Sequence, residues 1–257
     1  MKILGTLLIG MFVLLAVVSC DNKEADKKNN QKDTTDTLGD KAIYEDNVLV
    51  SVFTEYNKLP YNADSAFITK VSEDEKFQSL SSAEVEMLFK SYKEMNITMG
   101  AEYDISNFFK IDSLKTSGKY EEYVESLDIG MMKESVARAA HRIKIDENTE
   151  LLTWYLTYST YEACPYASGT MMFATIMYYG QFGECIVLAD QMGAGDPPST
   201  MSRSLVGKIN QNGKIELNLV QENGDEDENG PITEITKKSC VFQLNEGVLD
   251  VVSEKKQ

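Results

Sequence analysis

The chain has 257 residues, 41 of them acidic and 25 basic, giving a formal charge of −16 at pH 7, and 42% are hydrophobic. That size suits one large domain or two small ones, while so negative a surface repels phosphate backbones and anionic headgroups and excludes direct nucleic-acid binding. His141 is the single histidine, which removes most His-dependent hydrolase and metalloenzyme chemistry, since a triad, a Cys-His pair or a zinc cluster would each have to use it.

Lys2 precedes an apolar run, Ile3 to Val18, closed by Val17-Val18-Ser19-Cys20. The run is shorter than the roughly twenty residues needed to span a bilayer as a helix, and with its leading Lys it has the anatomy of an export signal. Its end resembles the lipobox of bacterial lipoproteins, in which a small residue precedes an obligatory Cys. The resemblance covers residues 1–26. It implies cleavage after Ser19, a diacylglyceryl group on the Cys20 thiol and acylation of the new amino terminus. Residues 1–19 are then a signal peptide and Cys20 a membrane anchor, held stably because two or three acyl chains hold where one does not.

Residues 20–42 read as the lipid-bearing Cys and an acidic flexible tether. Between Asp21 and Asp40 the apolar residues are Ala25 and Leu38, too few to offset the entropy of ordering. A random coil of that length sets the folded body roughly 25 Å from the membrane. Asp21 directly after Cys20 resembles the inner-membrane retention signal of enteric bacteria. Asp21, Glu24 and Asp26 together resemble the surface-export signals of Bacteroidetes lipoproteins, the reading that points to the outer membrane and the cell surface.

Residues 43–257 read as a single α+β domain, mixed helix and strand over 43–130 and β-rich over 131–257. Asp46 to Tyr56 alternates like a strand. Ser81 to Met95 is the clearest helix, with Val85, Leu88, Phe89 and Tyr92 at i, i+3, i+4 and i+7 and with Ser81 and Glu84 spaced as a capping box. A shorter helical pattern at Tyr120, Tyr123, Val124 and Leu127 ends at Gly130. Both helices are expected to cover a sheet. His141, flanked by Ala139, Ala140, Arg142 and Ile143, reads as an ordinary position entering a strand.

Beyond it the signals are strands, forming a meandering antiparallel sheet or sandwich. Leu152, Trp154, Leu156 and Tyr158 alternate with Thr153, Tyr155, Thr157 and Ser159. Thr170 to Tyr179 and Glu184 to Ala189 are apolar on both faces, as central strands covered on two sides would be. If they form a hairpin through Tyr179 to Gly183, the two Pro-interrupted segments that bound it, Glu162 to Tyr166 and Gly193 to Pro198, emerge at its open end. Glu162, Cys164, Asp190 and Asp196 then share one rim, where two carboxylates and a thiol suit acid–base or nucleophilic work. The competing reading is a pair of rigid turns with solvated acids and a buried Cys.

Further on, a three-residue loop Gln211-Asn212-Gly213 pairs Ile209 with Ile215 and Leu205 with Leu219, whereas a two-residue Asn212-Gly213 turn puts polar residues on the apolar face. Asn245-Glu246-Gly247 is expected to repeat the three-residue arrangement. Between these hairpins, Asp225-Glu226-Asp227-Glu228-Asn229-Gly230 matches the opening of a calcium loop. The match then breaks: Thr236 stands where a bidentate Glu belongs and Glu234 comes two residues early. Asp225, Asp227, Asn229 and Glu234 are the calcium candidates, with a solvated acidic hairpin tip as the alternative. Cys164, Cys185 and Cys240 allow three single disulfide pairings with one thiol left over, or serve as small buried hydrophobes.

These readings favour a lipid-anchored cell-envelope protein whose body is a non-enzymatic binding or interaction module for a protein, glycan or small ligand, without a resident cofactor. The alternatives are a hydrolase using Glu162, Asp190 or Asp196 as acid and base, and an acidic inhibitor or immunity-type module that steers a cationic enzyme.

Overall fold

A computed structural model describes residues 48–98, 100–161, 166–196, 198–228 and 230–256. The signal peptide, Cys20 and the tether expected over residues 1–42 lie outside the described residues, as do Glu162, Cys164 and Asn229. No described helix is long and apolar enough to cross a membrane.

The alternating apolar pattern that starts near residue 130 becomes one antiparallel meander. Its strands are β3 (Met132–Lys144), β4 (Thr149–Thr160), β5 (Tyr166–Tyr178), β6 (Gln181–Asp196), β7 (Ser199–Ile209), β8 (Lys214–Asp227), β9 (Gly230–Asn245) and β10 (Val248–Lys256), each paired with the next. Two short strands from the first half complete a ten-stranded sheet: β1 (Thr54–Tyr56) lies parallel on β3, and β2 (Tyr61–Ala63) lies antiparallel on β7. The molecule is thus mostly β, with few and short helices.

The strand expected from Asp46 to Tyr56 is confined to β1. Residues 48–50 are helical and turn bonds run on from Val48 to Phe53, because Leu49, Val50 and Phe53 are all buried. A strand would send Leu49 and Val50 to opposite faces. Beyond residues 48–50, the described residues hold four helices where two were expected: α1 (Ser65–Ser72), α2 (Ser82–Phe89), α3 (Ala101–Thr116) and α4 (Tyr120–Glu125). The capping box of Ser81 and Glu84 is formed at the start of α2. That helix stops at Phe89, short of Met95, because Ser91 and Lys93 bond to the backbone of Cys185 on β6, and that tertiary pairing overrides the helical period of Tyr92. Likewise α4 ends at Glu125, ahead of a turn at Gly130.

Apolar residues on both sides of β4 and β5 meet different covers. Trp154 stacks on Phe173 at 4.2 Å between ring centroids and both rings meet Phe89 of α2 edge-on, while Thr175 donates to the Leu88 carbonyl. On the opposite face, Tyr61 of β2 reaches Thr153 and His141, and Phe67 of α1 packs on Tyr61. The double burial read from Thr170–Tyr179 and Glu184–Ala189 follows from these two covers.

The β6–β7 ladder runs only from Asp190↔Leu205 to Asp196↔Ser199. Beyond it the strands part, and each freed edge is taken: β2 pairs with β7, and Ser91–Lys93 with β6. β10 returns towards β6, where the Leu249 amide donates to Glu184 and Lys93 bridges Glu184 and the Leu249 carbonyl. The β7–β8 register is the expected one, Ile209↔Ile215 and Leu205↔Leu219, with Gly213 at φ 73° in the loop. The β9–β10 turn departs from expectation. It has two residues, Glu246 and Gly247, both at positive φ, and sets Leu249 opposite Leu244. Burial decides the register: Leu244 and Leu249 are buried, whereas Val248, which a three-residue loop would pair with Leu244, is exposed.

Candidate functional site

Of the rim candidates, Asp190 and Asp196 are among the described residues, and these two do not converge. Asp190 and Asp196 lie on one strand six residues apart, about 20 Å at the rise of a β-strand, with Asp190 buried and Asp196 exposed opposite Ser199. Of the calcium candidates, Asp225 and Asp227 belong to β8 and Glu234 to β9. The described residues on either side of Asn229 pair as a ladder, Asp225↔Ile232 and Asp227↔Gly230. Among the described residues no three His, Cys, Asp or Glu side chains converge as a metal site. Cys185 and Cys240 are buried free thiols, and burial pushes the Cys185 thiol up to about 12.

His141 sits mid-strand in an aromatic box of Tyr56, Tyr61, Phe67 and Phe77. Its Nδ1 lies 3.1 Å from the Tyr61 hydroxyl. Burial pushes its pKa down to about 4, with Lys76 adding to the effect and Asp74 opposing it. The imidazole is therefore neutral at pH 7, wedged between the strap of β1–β2 and the sheet, in a position that serves packing.

The described residues do assemble one charged cluster inside the fold, on the face covered by α2 and α3. Asp190 of β6 and Arg203 of β7 form a buried ion pair, Nε to Oδ2, while the other carboxylate oxygen, Oδ1, has no hydrogen-bond partner among the described residues. Beside them stand Asp104, projecting from the first turn of α3, and Tyr158 of β4, each 7% exposed. Tyr158 fits there because its cross-strand neighbour is Gly169: a Cβ on Gly169 would stand 2.8 Å from the phenol oxygen and 2.8 Å from the Gln191 carbonyl.

The electrostatics follow from burial. Desolvation raises the Asp104 carboxyl to about 7, the Asp190 charge reinforces the rise and Arg203 opposes it. Burial likewise pushes Asp190 upward against the pull of Arg203, and raises the Tyr158 phenol, with the two carboxylates adding to that rise. Burial acts to lower Arg203, but Asp190, Tyr158 and Asp104 outweigh it, so the guanidinium stays charged.

Asp104, Tyr158 and Arg203 line a cavity of about 290 Å³ between the start of α3 and the ends of β4 to β7. Its walls are otherwise mainly apolar: Met132, Met192, Met201 and Tyr103, with Gly100, Gly130, Ala167 and Ala194 supplying the space. Apolar walls around a few convergent polar groups are the usual make-up of a small-ligand site, and this volume falls near the lower end for such sites. Asp190 does not line the cavity; it stands behind Arg203 as that residue's counter-ion.

Two of these residues were missed in the sequence although each leaves a trace. Asp104 falls on the apolar stripe of α3 formed by Ala101, Ile105, Phe108 and Ile111, all buried. Arg203 falls on the alternation Met201, Arg203, Leu205 of β7, where a charge interrupts an apolar face. A charge on a buried stripe signals a partnered or functional group. Compared with protein-family models, with curated proteins and with solved structures, the chain finds no match, so its reading rests on this geometry.

Proposed function

We propose that the protein is a lipid-anchored component of the bacterial cell envelope whose body is a non-enzymatic binding module, with the cavity under α3 as its ligand site. The lipobox-like residues Val17 to Cys20 support the anchor, and the acidic tether supports a body held off the outer membrane on its exposed side. The observation that carries the binding reading is Asp104: a buried carboxyl that makes no side-chain hydrogen bond among the described residues, set in the wall of a methionine-lined cavity. The hydrolase alternative needs two carboxyls facing one substrate. Among the described residues of this cluster one carboxyl lines the cavity and the other is occupied by Arg203, which favours binding over hydrolysis.

Full-length protein expressed in bacteria tests both halves. Cys20→Ala should move it from the membrane to the soluble fraction; undiminished membrane association refutes the anchor. Met192→Trp fills the cavity, so small molecules extracted from purified wild type should be absent from the variant. Identical extracts from the two proteins refute the cavity as the ligand site.

A further inference from the structure

The cavity's charge balance and wall chemistry together narrow its ligand. Among the described residues Arg203 is the one cationic side chain on the wall, and it is ion-paired with Asp190. Among the described residues that leaves Asp104 as the acid with no ion pair of its own, attracted to Arg203 only at longer range. The groups facing it are Arg203 from β7, Asp190 from β6 and the Tyr158 phenol from β4. Glu102 on its own helix is exposed. An anionic ligand would meet two carboxyls against one guanidinium already paired. A cation would supply the ion pair and the hydrogen bond that Asp104 does not make among the described residues, and the net charge of −16 draws cations towards the protein. The walls suit such a head as well: Tyr103 and Tyr158 put aromatic rings on the lining, of the kind that attract cations, and the methionines a polarisable surface that adapts to an apolar body.

Resting on the cavity as the ligand site, we propose that it takes a small organic ammonium ion with an apolar body. The charged head pairs with Asp104 and the body lies against Met192, Met201 and Tyr103. Binding selects the ionised form of Asp104. Because that carboxyl holds its proton up to about pH 7 in the empty protein, the proton must leave as the ligand arrives. Affinity therefore rises about tenfold per pH unit below 7 and levels off above it.

The test uses three probes of one shape and different heads: benzylamine, benzyl alcohol and benzoate, titrated calorimetrically into the full chain between pH 5.5 and 8. Benzylamine stays cationic throughout that range. It should bind about 10–100-fold more tightly than benzyl alcohol at pH 8, as a desolvated charge-assisted pair requires, with the stated rise in affinity and with release of a proton below pH 7. Asp104→Asn should bring benzylamine down to the affinity of benzyl alcohol and leave the alcohol unchanged. If the alcohol or benzoate binds as tightly as benzylamine, or if Asp104→Asn leaves benzylamine untouched, the cation assignment is overturned while the cavity stands as a binding site. Binding of none of the three overturns both. Benzylamine binding that survives Met192→Trp places the amine elsewhere and overturns the assignment too.

Discussion

Replacing Asp104 by Asn keeps the size of the side chain and removes its ionisation, so it isolates what a buried charge does to this fold. Burial, reinforced by Asp190 and opposed by Arg203, raises the carboxyl from an ordinary value of 3.8 to about 7. Between those two values the folded protein holds a proton that the unfolded chain gives up. Stability therefore falls as pH rises through that window, and the full cost is present by pH 8. At about 1.4 kcal/mol per tenfold change in proton affinity the ceiling is about 4 kcal/mol. Relaxation and water reaching the cavity side of the carboxyl reduce this to about 1–3 kcal/mol. Urea unfolding followed by Trp154 fluorescence should find Asp104→Asn more stable than wild type by that amount at pH 8, with the difference gone by pH 4. A difference that stays constant from pH 4 to 8 would refute the placement of a desolvated carboxyl there. A variant less stable than wild type at pH 8 would mean that attraction to Arg203 outweighs burial.

Arg203→Met strands the buried Asp190 carboxylate and should cost about 3–5 kcal/mol in chemical denaturation, whereas the double change Arg203→Met with Asp190→Leu should recover most of it; equal losses in the two would show that the pair is not coupled. Gly207→Ala puts a Cβ onto the Leu188 carbonyl oxygen where β6 and β7 part, so it should destabilise by about 2–4 kcal/mol, and a variant that melts with wild type would contradict the close approach. Cys185 and Cys240 should resist a thiol reagent in the native state and react in urea, since both are buried and their thiols are held in the protonated form; peptide mapping that finds Cys185 modified without unfolding would refute its burial.

Local patterning carried much of this molecule. The β-rich character beyond residue 130, the two-sided burial of β5 and the early part of β6, the start of α2 at its capping box and the β7–β8 register could all be read from residue spacing, because each depends on neighbours a few positions apart. The β7–β8 loop shows why: a shift by one residue would have carried Ile215, Leu217 and Leu219 off the apolar face. The β9–β10 turn, similar in sequence, was not legible in the same way, since Asn245-Glu246-Gly247 accommodates either loop length and only the burial of Leu244 with Leu249 chooses between them. The end of α2 was hidden for a related reason, its continuation being displaced by backbone bonds to Cys185, a residue more than ninety positions along the chain.

The site depended most on tertiary structure. Sequence placed Asp190 beside Asp196 as rim acids because the segments that carry them share one end of a hairpin. Strand geometry separates the two, and the Arg203 side chain from the next strand claims Asp190. Asp104 and Arg203 each announced a charge on a buried stripe, but that they meet, one from α3 and the other from β7, follows from how the helix crosses the sheet. The chain itself determined which faces must be covered. Only the packing of those covers decided which charges would be sealed beneath them, because desolvation and pairing are properties of neighbours that the sequence holds a hundred residues apart.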